Sequence, residues 1–558
     1  MSSFEKNTKP FVLNYKSNIK NAIKLIQNNK ERVCFVVDKK NQVIGSISDG
    51  DIRRAILKGH NINDKIVKVF NKNFIFLKKN FDLSEAYKKF NKKVRIIPIV
   101  NEQMKINGIL RKHDLVPFLD IKSKTILVVG LGYVGLTLSL VLADSGFEVS
   151  GYDKNTKTVK KIKNKIPPFY EKGMERYLSK NVGRNLNIFN KPKESDVYII
   201  TVGTPLKKNK SLNPDLSYLK KSLVEVSNLL KKNDLIILRS TIPVGCTRKF
   251  VIPFLEKKTG LKFGKDLFIS FCPERTIEGN AIEELKKLPQ IMGSFCRKSA
   301  ELTKRLFSEY NFTIVEVRDL ESAELAKLID NSFRDTIFAY SNSIAMLGEK
   351  LNLDISQIID KVNLGYSRNQ IPKPSPGVGG PCLSKDPYIL SDSFNKAKIE
   401  NSNLIIHSRK VNELVIDNIL NRSVKIFKKL KKNKNSKIFI SGFAFKGFPE
   451  TSDIRSSTTK IFYEKLKNKG FKNIWIHDFK VSKEDLKLIG AKSCSIISGF
   501  KKADAIFIMN NHKKYEDLNI FKLLGQTKKP VFFYDSWQIF NPYEIKNLPG
   551  VIYASVGF

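Results

Sequence analysis

The feature that most restricts how this chain can fold is a glycine triplet set between an apolar strand and an apolar helix. Thr125 to Val129 reads as a buried strand, Gly130-Leu-Gly132-Tyr133-Val134-Gly135 then opens a helix, and Asp153 ends the next strand. The first glycine permits a tight turn, the second lets a pyrophosphate approach the backbone, and the third lets the helix pack closely. Asp153 can accept hydrogen bonds from a ribose 2′-hydroxyl, and its charge disfavours a 2′-phosphate, so the cofactor predicted is NAD rather than NADP. A glycine triplet alone is weak, but strand, helix and acidic residue at the expected separation make this one specific. Two further strand ends, Thr201 to Pro205 with Thr204, and Ser240 to Gly245 with Thr241, present hydroxyls and small residues towards the same ligand. The span Thr125 to Ala143 is uncharged over nearly the length of a membrane crossing. Its glycines and trailing aspartate make it a strand passing into a helix, and no membrane span is predicted.

A chain of 558 residues exceeds one hydrophobic core, and its length suggests about three or four domains. Residues 1 to 122 hold an internal repeat. Arg32 to Asp38 and Gln42 to Asp51 read as strand, turn, strand and helix start, and Val94 to Val100 and Ile106 to Asp114 repeat the pattern, with Gly45 and Asp51 matching Gly108 and Asp114. This resembles a pair of CBS modules, which implies an adenine nucleotide as possible ligand, bound in a Ser/Thr-x-x-Asp pattern. Ser48 and Asp51 fit, whereas Arg111 stands where the second hydroxyl should be, so at most one site is complete. Asp at a helix start is also an ordinary N-cap, which leaves a dimerising module without ligand as the alternative.

Residues 123 to 318 alternate apolar strands (Thr125 to Val129, Asp196 to Val202, Asp234 to Leu238, Leu267 to Phe271) with amphipathic helices, as a parallel sheet covered on both faces would. A helical region follows over 319 to 420, its helix Ser322 to Leu351 suited to linking and dimerisation. Residues 421 to 558 carry a second set of strands, Lys437 to Ser441, Asn473 to Asp478, Ala503 to Met509 and Pro530 to Asp535. The fold class predicted is α/β, two doubly wound Rossmann-like domains joined by a central helical region, plus the N-terminal α+β pair.

The formal charge of +45, from 99 Lys and Arg against 54 Asp and Glu, would point to nucleic acid at face value. The lysines are spread through the whole chain, so no nucleic-acid partner is predicted. Tracts such as Lys428 to Lys434 read as solvated linker or helix surface, and a positive field favours capture of dianionic nucleotides. Six cysteines without a CxxC pair or metal-ligand spacing read as reduced thiols in a cytoplasmic protein, with no metal expected. The opening MSSFEKNTKP has no apolar signal-peptide core.

One of those thiols has unusual company. Pro374-Ser-Pro-Gly377-Val-Gly379-Gly380-Pro-Cys382-Leu-Ser-Lys385-Asp386 is a glycine-rich loop that delivers a cysteine followed closely by an ammonium and a carboxylate. A nearby cation would stabilise thiolate. With this loop, the dinucleotide loop and the segments Phe271-Cys272-Pro-Glu274-Arg275, Glu324 to Asn331 and Gly442 to Ser457 in this order, the stretch 124 to 558 resembles the UDP-glucose/GDP-mannose dehydrogenase family.

The resemblance implies two successive hydride transfers from the C6 hydroxyl of a nucleotide sugar to NAD, through a thiohemiacetal and a thioester on Cys382. Lys327 matches the lysine that stabilises oxyanions, and Asn331 lies one helical turn on, on the same face. Asp386 matches a carboxylate that orients water with Thr204. Glu274 matches the general base of hydrolysis, and Glu278 a residue near the nicotinamide. Lys446 resembles a residue reaching the sugar nucleotide, Arg455 and Lys385 residues reaching NAD, and Glu171, in Phe169-Tyr170-Glu171, a residue near the sugar, as do Gly379 and Arg334. Cys272 beside Glu274 reads as packing. The segment Asp535-Ser-Trp537 departs from the family's Asp-x-Arg, and an indole cannot replace a guanidinium at a charged group. The motifs around Arg275 and Arg334 to Asp335 look like the branch acting on UDP-N-acetylhexosamines. That favours UDP-N-acetylglucosamine or UDP-N-acetylmannosamine as substrate and a surface-polysaccharide precursor as product. UDP-glucose, GDP-mannose and a nucleotide-sensing protein without turnover are the alternatives, and a homodimer or larger assembly is expected.

Overall fold

The computed structural model describes residues 5, 7–79, 81, 86, 89–91, 94–111, 121–207, 212–399 and 403–558. It divides into two compact units, Met1–Ile121 and Lys122–Phe558.

The internal repeat of the first unit is structural. Val12–Asn14 runs parallel to Val33–Val37, which pairs antiparallel with Val43–Ser48; Leu77–Lys78, Ile96–Val100 and Ile106–Arg111 repeat this arrangement. Each antiparallel pair shifts register at the equivalent step, Val36/Val37 and Ile99/Val100. Ser48 and Asp51 form a capping box at the start of helix Asp49–Leu57: the Asp51 backbone N–H donates to Ser48 Oγ at 3.3 Å and the Ser48 N–H to Asp51 Oδ2 at 2.8 Å. Arg54 takes the other carboxylate oxygen at 2.6 Å. Asp114 lies outside the described residues. Arg111 pairs with Glu31 at 3.3 Å and lies over the Phe11 ring, 5.5 Å from its centroid.

In the second unit an eight-stranded sheet follows the order Ile314–Glu316, Gln290–Ser294, Phe268–Phe271, Leu235–Leu238, Val197–Ile200, Ile126–Val129, Val149–Tyr152 and Leu186–Phe189. All pairs are parallel except Phe268–Phe271 with Gln290–Ser294. Its central strands are buried on both faces, which is why they read as continuous apolar runs rather than alternating ones. A second sheet, all parallel, follows the order Lys492–Ser493, Ile474–His477, Ile438–Ser441, Ala505–Ile508, Val531–Asp535 and Val551–Ala554. Both sheets are doubly wound, so the predicted fold class holds. In each, the chain order reverses beside a central strand, and the crevice outside the carboxyl ends there is where such sheets place ligands.

Between the sheets lies the 32-residue helix Leu320–Leu351, which Asp319 caps by accepting the Ser322 N–H at 2.8 Å. Helix Asn403–Lys429 packs along it, and the shorter helix Asp386–Lys396 packs against both. Ile329, Phe333, Tyr340, Leu347 and Leu351 are left exposed along the long helix. Among the described residues no helix is long and apolar enough to cross a membrane, and Thr125 to Ala143 is a strand passing into a buried helix. The tract Lys428 to Lys434 is not solvated throughout. The Lys432 ammonium folds back to Asp504 at 2.8 Å with both side chains sheltered, because Asp504 sits where the following strand begins and needs a counter-charge.

Candidate active site

A cavity of about 610 Å³ opens at the carboxyl ends of the first sheet's strands, and its wall includes Gly130, Gly132, Tyr133, Val134, Asp153, Thr204 and Thr241. Gly132 precedes helix Tyr133–Asp144 with no side-chain cap, so the first helical N–H groups stay available for a phosphate. A Cβ at Gly132 would meet nothing within 4 Å, leaving room for a ligand, whereas one at Gly135 would stand 1.8 Å from the Gly130 carbonyl oxygen. Asp153 fastens the loop through Oδ2, which accepts from the Leu131 N–H at 2.8 Å, while Oδ1 accepts from the Asn155 N–H of its own turn at 2.7 Å. Thr204 donates its hydroxyl hydrogen bond to the Thr241 carbonyl. This cradle suits a dinucleotide without a 2′-phosphate.

The same wall carries Cys382, Lys385, Lys327, Glu274, Glu278 and Arg455. Cys382 stands in the turn before helix Asp386–Lys396, where its carbonyl accepts the Asp386 N–H at 2.9 Å. Asp386 is fully buried; Oδ2 accepts from Asn331 Nδ2 at 2.5 Å and Oδ1 from Lys385 Nζ at 2.6 Å. Lys327, one turn before Asn331 on the long helix, is largely buried, and among the described residues its ammonium has no hydrogen-bond partner. A sheltered, unengaged cation beside a thiol suits an oxyanion.

Burial opposes the two nearby cations, which favour the thiolate as a cation beside a thiol should. Cys382 faces the cavity but is enclosed by its walls, and this desolvation pushes the thiol above its ordinary value; Lys327 and Lys385 pull it down and Asp386 raises it further. Desolvation is the largest cause, and Lys385, the weaker of the two cations, is also engaged by Asp386.

Glu274 has a partner that the sequence reading missed. Arg239, fully buried and part of the cavity wall, donates NH2 to Glu274 Oε2 at 2.5 Å and NH1 to Gln290 Oε1 at 2.9 Å. Glu274 Oε1 accepts the backbone N–H groups of Arg275 and Thr276 at 2.8 and 2.9 Å. Burial raises the Glu274 carboxyl, but Arg239 and these donors outweigh it and leave it below its ordinary value. A single charge ending the apolar run Leu235 to Leu238 was a legible signal for Arg239. Cys272 is wholly buried, its thiol pushed up to about 12, as packing predicts.

The loop after Ile438–Ser441 reaches the cavity. Arg455 pairs with Asp453 at 2.6 Å and Glu278 at 3.4 Å, and lies over the Tyr133 ring at 5.0 Å. Burial, then the neighbouring Asp453, raises Glu278 to about 8. Lys446 donates to the Glu278 carbonyl at 2.7 Å, and burial lowers it to about 8. Asn331, Asp386 and Lys446 lie just behind the cavity wall, and Glu171, Arg334 and Gly379 also fall outside it. Glu171 is buried with its carboxylate accepting the Gly279 and Ala281 N–H groups at 2.8 and 2.7 Å, Arg334 is exposed, and Gly379 is pressed against the Ser456 carbonyl, 2.4 Å from where its Cβ would be. Trp537 turns its indole N–H to the Met509 carbonyl at 3.3 Å.

A dinucleotide cradle whose wall also presents a thiol and an unengaged lysine defines an NAD-dependent dehydrogenase. Residues 124–311, 321–414 and 439–542 match the NAD binding, central and UDP binding domains of the UDP-glucose/GDP-mannose dehydrogenase family, and 4–58 and 66–120 match CBS domains. The UDP-N-acetyl-D-mannosamine dehydrogenase of Pyrococcus horikoshii is 31% identical over 439 residues, 77% of this chain and 99% of that relative. The enzyme of the same name from Campylobacter jejuni is 30% identical over 71% of this chain and 98% of its own. A solved structure of UDP-D-ManNAc dehydrogenase from Pyrococcus horikoshii, 30% identical, superposes with a TM-score of 0.69 over 78% of this chain and 99% of that one. The chain belongs to the UDP-glucose/GDP-mannose dehydrogenase family, as an NAD-dependent nucleotide-sugar dehydrogenase preceded by a CBS pair.

Proposed function

We propose that the chain oxidises the C6 hydroxyl of a UDP-N-acetylhexosamine to the carboxylate, with UDP-N-acetylmannosamine as the preferred substrate, through a covalent adduct on Cys382. The observation that carries this reading is the shared cavity, in which Cys382 and the unengaged Lys327 face the dinucleotide loop. Two NAD molecules, held in turn by the Gly130 to Gly135 loop and Asp153, would each accept one hydride. Once C6 is an aldehyde, Cys382 Sγ bonds to the carbonyl carbon and the thiol proton passes to its oxygen, giving a thiohemiacetal. Lys327 stabilises the charge that builds on that oxygen. After the second oxidation C6 is a thioester; water adds, the C–S bond breaks, the thiol regains its proton, and the acid leaves. Asp386, fixed by Asn331 and Lys385, orients that water with Thr204, and Glu274 receives its proton. Lys446 and Arg455 bind the sugar nucleotide and the cofactor.

The relatives' names and the motif from Cys272 to Arg275 support the sugar. In the same reading an adenine nucleotide docks at the Ser48–Asp51 helix start, a second copy covers the apolar stripe from Ile329 to Leu351, and the product feeds surface-polysaccharide synthesis. A solution mass of two chains supports the second copy, and a single-chain mass refutes it. A panel of UDP-N-acetylmannosamine, UDP-N-acetylglucosamine, UDP-glucose and GDP-mannose with NAD, repeated with ATP, tests the activity. Two NADH per sugar and a uronic acid by mass are expected with the first. No NADH from any of the four would overturn the proposal.

A further inference from the structure

Arg409 is the largest fully buried side chain among the described residues. Burying a guanidinium is costly unless its donors are matched by acceptors. Here NH1 donates to Asp335 Oδ1 at 2.7 Å and to the Leu383 carbonyl at 3.1 Å, and NH2 donates to the Val378 carbonyl at 2.8 Å. Those two carbonyls bracket Gly379, Gly380, Pro381 and Cys382. One planar fork therefore grips the nucleophile's loop on both sides of the sulfur.

The fork is itself held. Asn412 Nδ2 donates to Asp335 Oδ1 at 2.8 Å, Asn342 Nδ2 donates to Asn412 Oδ1 at 2.9 Å, and the Ser375 N–H, at the loop's start, donates to Asn342 Oδ1 at 2.9 Å. The loop is also held at Ser456. The Gly380 N–H donates to the Ser456 carbonyl at 3.1 Å, and a Cβ at Gly379 would stand 2.4 Å from that oxygen. Asp335 belongs to the helix Leu320–Leu351 that carries Lys327 two turns earlier and Asn331 one turn earlier.

We propose that Arg409 is a positioning residue which, by holding the Val378 and Leu383 carbonyls against Asp335, sets the Cys382 sulfur in register with the Lys327 ammonium. This rests on Cys382 being the nucleophile. A lysine keeps the charge that balances Asp335 but, as a point donor, cannot serve a carboxylate and two carbonyls in one plane.

The test is Arg409→Lys in the full chain, measured well below its melting temperature. The kcat is expected to fall about 10²-fold, because misplacement of about 1 Å costs that much. NAD affinity, read by fluorescence, stays within about threefold because the cradle is untouched. With Lys327 out of register, the midpoint of iodoacetamide alkylation of Cys382 moves to higher pH, a shift that a purely structural role would not cause. A lowered melting temperature with unchanged kcat and unchanged alkylation profile would overturn the proposal. Should Arg409→Lys not fold, Asp335→Asn keeps the fork and loosens its anchor; a fall in kcat with a raised alkylation midpoint then supports the proposal, and no change in either overturns it. Failure of the nucleophile assignment is separable, since Cys382→Ala would then still form acid.

Discussion

Acid formation should fall by at least about 10³-fold when Cys382 is replaced by serine, because an alcohol adds far more weakly than a thiol to an aldehyde and ionises far less readily. NADH formed per sugar should drop from two to at most one, since the second oxidation has no covalent adduct to act on. Product mass and NADH absorbance on the same sample check both. Cys382 is exposed to the cavity, so the exchange should cost no more than roughly 0.5 kcal/mol of stability, and an unchanged melting curve separates lost chemistry from lost fold. The raised thiol pKa adds a pH signature to the wild type. Alkylation of Cys382 should keep accelerating past the ordinary thiol range, where a preformed thiolate would already have reached its plateau.

The second large effect is expected at Arg239. Arg239→Met leaves Glu274 in a wall where burial penalises its charge and no cation offsets it, and breaking a buried pair from one side costs about 3–5 kcal/mol. The sign with pH follows from the shift. In the wild type the depressed Glu274 carboxyl contributes stability that is present above its unfolded value and lost as pH falls through the lower folded one. In the variant burial is opposed only by the Arg275 and Thr276 N–H groups, so the folded carboxyl rises and stability is lost as pH increases through it. The gap between the two proteins should therefore be wide at neutral pH and narrow in acid, which denaturant unfolding at several pH values measures. If Glu274 takes the proton in hydrolysis, the acid limb of kcat in Arg239→Met moves to higher pH as well. An equal gap at every pH would refute the assignment.

The sequence made the sheets' centres legible, but their edges were not. Val197–Ile200 and Ile438–Ser441 are uninterrupted apolar runs because both faces are covered, whereas the missed Ile314–Glu316 and Lys492–Ser493 are short edge strands, half wet and partly polar. The candidate site was legible where a motif is local, as in the loop from Gly377 to Asp386. It was not legible where a charge is set by a partner far along the chain. Lys385 reads as a cation beside a thiol, yet the structure shows it engaged by Asp386. Glu274 reads as a free base, yet Arg239, 35 residues away, holds it. Arg409 gave no periodic signal, because its acceptors are mostly backbone carbonyls, which no side-chain pattern reports.

Asp153 fastens the glycine loop through Oδ2 and its own turn through Oδ1, while standing where a ribose would lie. Retargeting this chain to a phosphorylated cofactor is therefore not a matter of sign alone. A neutral or basic residue there would remove the charge that repels a phosphate and, in the same exchange, the acceptor that ties down the Leu131 N–H of the loop. Cofactor choice and loop integrity are inherited together, and an engineer or a lineage changing one must rebuild the other.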